Sequence, residues 1–460
     1  MALGRRKSEH QELFLASGDL PRAPGHPFYV ELNRLLGRHE FDRFVEGLCK
    51  PYYAEIGRPG IPPGVYFRML FVGYFEGIGS QRGIAWRCAD SLSLREFLGL
   101  SPTERTPDHS SLTVIRKRLP LDVYMEVFAF VLKLAHKEGL FRGKIAGMDA
   151  TLLEANAAMK SIVRRDTGED WKAYVRALAA EEGVEIEDDD DLRRYDKKRK
   201  KKGVSNKDWV SGSDPESRIM RMKTGRTHLA YKAEHALDLD SELVLAAEIY
   251  AGDVADGDSM SSTARQAKKA VRRVLGRNGL RDMVADKGYH KTASLADLTR
   301  QGLRSYVPER NDVWERVWVG KPRSHKRAVY ANRRRVRGAR NKRLQRRRTE
   351  VLERSFAHAC ETGGGRRCWL RGVDANRKRH LALAVGLNLG VVMRKLFGIG
   401  SPRALQGFSL LLATVLLAFR DALRSLQRPR DDLSTRLRRT ALDSRDVLGP
   451  LAITASSTGC

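Results

Sequence analysis

Three carboxylates stand out by their position in the sequence. Asp149 closes the apolar climb of "GKIAGMDATLLEANAA" (143–158), and Asp286 closes another short apolar run in "DMVADKGY" (282–289). Glu353 lies in "TEVLERSFAHACETGGG" (349–365), directly behind the most basic stretch of the chain. Carboxylates at strand ends are firmly held oxygen donors. Mg²⁺ takes one or two of them and completes its shell with water and substrate phosphate. Two such ions about 4 Å apart can activate a water or a 3′-hydroxyl and stabilise the leaving oxygen of a phosphodiester. A Lys or His in the same places would repel the metal. Each carboxylate also has an ordinary reading. An Asp at a strand end commonly closes a turn or caps a helix, and Glu353 reads equally as a solvated helix residue, with Glu350 and Glu361 beside it. Asp253, Asp256 and Asp258 in "AGDVADGDSM" are a rival group, read here as a loop and helix cap.

The elements that must position these residues follow from periodicity. "KIAGMDAT" is apolar on both faces, as a central strand covered on both sides requires. In "THLAYKAEHALD" (227–238), Leu229, Tyr231 and Ala233 alternate with Ala230, Lys232 and Glu234; a short turn then leads into "LVLAAEIYAG" (243–252), a β-hairpin pattern. A basic helix over about 258–275 precedes the Asp286 strand. A helix near 292–301, a strand at 304–309 and a long helix over about 374–396 follow. His380 and Asn388 on that last helix read as packing residues. Residues 141–400 are therefore a mixed α/β domain. Residues 1–140 read as helical, with Pro62 and Pro63 opening one helix and Asp108 or Ser110 capping another. A charged segment at about 155–225, holding "EIEDDDD" and "KKRKKK", reads as an exposed insertion. Residues 401–460 read as a C-terminal helix, with "FSLLLATVLLAF" (408–419) buried, followed by a frayed tail.

Composition narrows the partner. Lys and Arg total 85 against 56 Asp and Glu, a formal charge of +29, and 13 of the 26 residues from Arg323 to Arg348 are basic. Such an excess suits a polyanion, because neutralising phosphates releases condensed counterions. Five scattered cysteines without CxxC spacing suggest reduced thiols and no zinc site. The N-terminus lacks a signal-peptide core, and the greasiest run is too short to span a bilayer, so no membrane role and a cytoplasmic location are expected.

Several motifs, in order over about 50–400, resemble the DDE transposases of bacterial insertion sequences: "MDATLLEANAA", the hairpin continuing into "AGDVADGD", "VADKGYHK" and "ERSFAHACETGGGRRCWLRG". The segments "GRPGIPPGVYFRMLFVGYFEGIGSQRGIAWRC" and "TPDHSSLTVIRKRL" resemble the helical domain preceding the catalytic domain in that group. The resemblance implies a ribonuclease-H-like mixed sheet with flanking helices, preceded by an all-α domain for end binding or dimerisation. It implies Asp149, Asp286 and Glu353 as catalytic metal ligands for Mg²⁺ or Mn²⁺. It further implies double-stranded DNA, both element ends and target, as partner, a homodimer or higher oligomer, and a nucleoid-associated location. Lys287, Tyr289, Arg354, Arg366, Arg367 and Arg371 are the candidate DNA contacts. Many members flank the glutamate with an Arg four residues before and a Lys or Arg seven after. Here those positions are Thr349 and Cys360, with Arg354 or His358 as substitutes. A chain that binds DNA without cutting it, and a metal-dependent nuclease without strand transfer, remain alternatives.

Overall fold

The computed structural model describes residues 25–57, 60–101, 103–198, 205–276, 279–310, 317–405 and 419–420. "KKRKKK" beyond Lys198, the apolar run at 408–418 and the C-terminal tail lie outside them. The chain divides into two compact units near residue 404, and the sheet with its covering helices lies in the first.

The N-terminal part is helical, as expected: α1 Pro27–Arg38, α2 Phe41–Cys49, α3 Pro63–Glu76, α4 Gln81–Asp90, α5 Leu92–Phe97, α6 His109–Arg118 and α7 Leu121–Lys137. Helix α3 begins on Pro63, whose missing N–H costs nothing in a first turn. The Asp108 side chain caps α6 by accepting the Ser110 N–H at 2.9 Å. Helix α3 is apolar nearly all round and is buried from Gly64 to Met69 and from Phe71 to Phe75, so it cannot be a surface element. It packs on α14 (Val373–Phe397), as does α7. That packing needs glycine: a Cβ on Gly386 would sit 2.6 Å from the Tyr74 ring. The helical layer thus shares a core with the α/β part.

The sheet has the mixed topology implied above. Strand β1 (Ile145–Glu154) is central, between β5 (Thr227–Asp238) and β7 (Asp282–Val284). It runs antiparallel to β5 and parallel to β7, and β7 runs parallel to β8 (Arg304–Tyr306). Strand β5 forms the expected hairpin with β6 (Val244–Ala251) and also pairs with β4 (Arg218–Arg221). Helix α10 (Asp256–Leu275) covers the face carrying Lys232 and Glu234, and α11 (Thr292–Arg300) follows β7. His380 and Asn388 are packing residues: the Asn388 amide bonds both backbone groups of Val244, and His380 Nε2 lies 2.8 Å from His235 Nε2. By composition α14 is apolar enough to cross a bilayer, but most of its side chains are buried within the fold.

One expectation needs correction. The segment 155–225 is not simply a charged arm. It forms a small sheet of β2 (Ile162–Arg164) and β3 (Trp209–Ser211), two helices, α8 (Trp171–Glu181) and α9 (Asp189–Lys198), and the strand β4. Its sparse apolar residues explain this: Ile162 and Trp209 pack on Leu229, Tyr231 and Ala233 of β5. The basic stretch is helical as well, forming α12 (Arg323–Val336) and the first half of α13 (Ala339–Ala357). Cys49, Cys88, Cys360 and Cys368 are free thiols.

Gly386→Ala should destabilise the protein by about 1–3 kcal/mol, because a methyl cannot fit under Tyr74 without displacing α3; an unchanged urea midpoint would show that this contact does not hold the layers together. Burial pushes the His235 imidazole down to about 3 and lowers His380 as well. The unfolded chain therefore binds protons below about pH 6.5 that the folded chain refuses, so stability should fall as pH drops through that value. Urea midpoints measured from about pH 7 to 4 should show the decline, and His235→Leu should flatten it.

Candidate active site

Parallel pairing of β1 with β7 determines which residues meet. Ile145 faces Asp282 and Gly147 faces Val284, after which the parallel ladder stops. Asp149 and Asp286 each lie two residues beyond that last pair, at the same end of neighbouring strands. Asp149 does not end its own strand, as the sequence suggested; β1 continues to Glu154 because β5 pairs with it throughout. Asp149 lies within reach of Asp286. Burial raises the Asp149 carboxyl, the Arg348 guanidinium opposes this, and nearby Asp286 raises it further. Asp286 also acts as a cap: its Oδ1 accepts the Gly288 N–H at 2.8 Å, closing a short turn over Lys287–Tyr289.

That turn rests on a buried polar network. The Tyr289 hydroxyl donates to Glu234 Oε1 at 2.9 Å, and Glu234 also accepts from Ser259 and Thr263 on α10. Lys232 Nζ donates to Ser259 Oγ at 2.8 Å and pairs with Asp256 at 2.8 Å. Lys232 is 3% exposed, Glu234 and Tyr289 0%. Tyr289 is therefore not a DNA contact in this arrangement, since neither ring nor hydroxyl reaches the surface. The rival group Asp253, Asp256 and Asp258 is dispersed among Arg218, Lys232 and Lys291 respectively. Only Asp256 comes near the site: its Oδ2 and Asp286 Oδ1 both lie within 3.1 Å of the point a Gly288 Cβ would occupy.

Helix α13 packs across β1, β5 and β7. Arg340 pairs with Asp282 at 2.6 Å, and the Gln345 amide donates to the carbonyls of Ala285 and Tyr306. Arg348 donates to Met148 O and to Asp149 Oδ2, at 3.3 and 3.1 Å. Leu352 follows it over Gly147, where a Cβ would lie 3.2 Å from Leu352 and 3.0 Å from Arg348, and Phe356 stacks on His235 at 4.6 Å. Glu353 is exposed and, among the described residues, pairs with no cation. No group of three metal-ligating side chains forms among the described residues, so Glu353 does not complete a metal cluster with the two aspartates.

The remaining candidate contacts separate by environment. Lys287, Arg366, Arg367 and Arg371 are exposed. The segment carrying Arg366 and Arg367 runs beside the end of β1, with Cys368 N–H donating to Glu154 O at 2.7 Å. Arg354 is engaged elsewhere. Together with Arg347 and Arg394 it surrounds Glu242 at 2.9–3.1 Å, in the β5–β6 turn. Burial raises the Glu242 carboxyl, but these guanidiniums outweigh it and hold the group below its ordinary value. This cage ties the turn of α13 next to Glu353 to the hairpin and to α14. Arg348, the Glu242 cage and the Lys232–Glu234 network were not singled out in the sequence. Arg348 is one basic residue in a basic run, and only the placing of charged residues inside a strand hinted at the network.

Asp149 and Asp286 offer a hard divalent cation two partly exposed carboxylates, each two residues beyond the last β1–β7 pair. Arg348 already holds one Asp149 oxygen, so a cation must share or displace that contact.

Comparison with known families gives two matches: a transposase domain over residues 20–118 and a transposase DDE domain over residues 188–389. The second span includes Asp286 and Glu353 but begins after Asp149. No curated protein and no solved structure matches the chain.

Glu242→Gln removes the charge that three arginines share. It should cost about 2–4 kcal/mol, because unpaired guanidiniums are left half-buried, and the effect should fade as pH falls through the carboxylate range. Equal urea midpoints for the two proteins at neutral pH would refute the cage as a clamp on α13.

Proposed function

The chain belongs to the insertion-sequence DDE transposases, and from that premise we propose that it cuts phosphodiesters at element ends and joins the freed 3′-hydroxyl to target DNA, with Mg²⁺ or Mn²⁺ held by Asp149 and Asp286. The observation that carries this reading is the pair itself: two carboxylates at one end of parallel strands, under helices rich in exposed cations. A divalent cation bound there would supply the Lewis-acid charge needed for in-line displacement at phosphorus. In cutting, a water oxygen bonds to phosphorus and the bond to the 3′-oxygen breaks; in joining, that 3′-oxygen attacks a target phosphodiester and a target 3′-hydroxyl departs.

The chain's own groups have separable roles in this reading. Asp149 and Asp286 hold the charge, and Arg348 opposes the burial that would neutralise Asp149. Tyr289 and Glu234 anchor the turn that aims Asp286. The exposed cations Arg334, Lys342, Arg343 and Arg346 on α12 and α13 draw the phosphate backbone, with Lys287, Arg366, Arg367 and Arg371 nearer the strand ends. Glu353 is the third carboxylate, one residue beyond the Leu352 that covers Gly147. Double-stranded DNA is the partner, two ends call for at least a dimer, and the cytoplasmic nucleoid is the location. Exposed Glu353, outside any cluster with the aspartates, favours one second reading: a DNA-binding chain without chemistry.

The test offers purified protein the inverted repeats flanking its coding sequence and a supercoiled plasmid, with Mg²⁺ or Mn²⁺. Joined products should form, and Asp286→Ala should reduce them at least about a hundred-fold. Cutting without joining would leave a nuclease. Binding with no products in either protein would establish the non-catalytic reading.

A further inference from the structure

A cavity of about 360 Å³ lies between α3, α4, α6 and α7 on one side and α14 with the loop before it on the other. It shares no residue with the Asp149–Asp286 site. Tyr66, Tyr74, Tyr124, Ile78, Trp369 and Leu383 are among its lining residues, and the Tyr66 and Tyr124 hydroxyls bond each other at 2.6 Å. Arg82, Arg116, Arg379 and His109 also line it, whereas among the described residues no Asp or Glu does.

Two of these cations lack a counter-charge among the described residues. Arg116 Nη1 is buried with no hydrogen-bond partner. Arg379 donates to two backbone carbonyls, Arg367 O at 2.9 Å and Gly364 O at 3.0 Å, and pairs with no described carboxylate. A guanidinium withdrawn from water without an anion is costly, and two of them around one apolar cavity imply an anion from outside. At the mouth, Trp369 lies against Gly79, is 46% exposed and stacks with the Arg367 guanidinium at 5.5 Å. Exposed indole beside cations is a surface on which a planar base stacks.

We propose that this cavity is a nucleotide site, taking a nucleobase against its aromatic wall and a phosphate toward Arg116 and Arg379. Its volume falls in the range of small-ligand pockets, and guanidinium is the side chain best matched to phosphate oxygens. A free nucleotide and an unpaired nucleotide of a DNA strand offer the same chemistry.

Calorimetric titration of the full chain with dAMP, deoxyadenosine and inorganic phosphate tests the assignment. Binding of dAMP with a Kd at or below about 1 mM is expected, tighter than deoxyadenosine or phosphate alone. Arg116→Gln should weaken it at least ten-fold without lowering Tm, since an unpartnered charge is removed. Trp369→Ala, at an exposed position, should weaken it independently. Asp286→Ala should bind dAMP as wild type does, so that failure here and failure of the catalytic reading can be told apart. A duplex ending in one unpaired adenosine that displaces dAMP identifies DNA as the source; no displacement identifies the free nucleotide. No dAMP binding at millimolar concentration, phosphate binding as tightly as dAMP, or unchanged binding in both Arg116→Gln and Trp369→Ala would overturn the proposal.

Discussion

The site depends on one ion pair over the central strand, Arg348 with Asp149. A carboxylate on a central strand, covered by a helix and flanked by two strands, loses much of its hydration and tends toward its neutral form. The guanidinium offsets that loss, and it also determines where α13 lies. With Arg348 over β1, the helical repeat brings Gln345 to the carbonyls of β7 and β8, Leu352 onto Gly147 and Phe356 onto His235. The same helix carries Glu353, which is exposed one residue beyond Leu352.

Beneath the second aspartate the fold uses buried charge instead of apolar packing. Lys232, Glu234 and Asp256 form a chain of ion pairs closed by hydroxyls from Ser259, Thr263 and Tyr289. Such pairs contribute little net stability against apolar replacements. Their geometry is directional, however. The Tyr289 hydroxyl can reach Glu234 only when the turn after Asp286 has its observed shape, so the network specifies the direction of a carboxylate that an apolar core would leave loosely held.

The formal charge of +29 overstates the surface available to a polyanion. Arg304 and Arg340 neutralise Asp282, Arg333 pairs with Glu309, and Arg347, Arg354 and Arg394 share Glu242. These arginines bind α12, α13 and α14 to the sheet. On α12 and α13 the cations left facing solvent include Arg334, Lys342, Arg343 and Arg346.

Periodicity and turn chemistry sufficed for the elements: the central strand at 145, the hairpin of β5 and β6, and the helices α3, α6, α10, α11 and α14. These are local properties, written in residue spacing. Asp149 and Asp286 were legible because each follows a short apolar run, although β1 continues past Asp149 to Glu154, and the register of two parallel strands brings them to equivalent positions. Tertiary structure decided what spacing cannot encode. Tyr289 is read next to Asp286 as a candidate DNA contact, yet its side chain points under the turn to Glu234, 55 residues away. Arg354 looks like a phosphate contact until the hairpin brings Glu242 to it across 112 residues. Among 13 basic residues in one run, only the crossing of α13 selects Arg348 as the partner of Asp149. A side chain's type follows from the sequence, but its partner is chosen by the packing of elements distant along the chain, because charge and hydrogen bonding act only over a few ångströms.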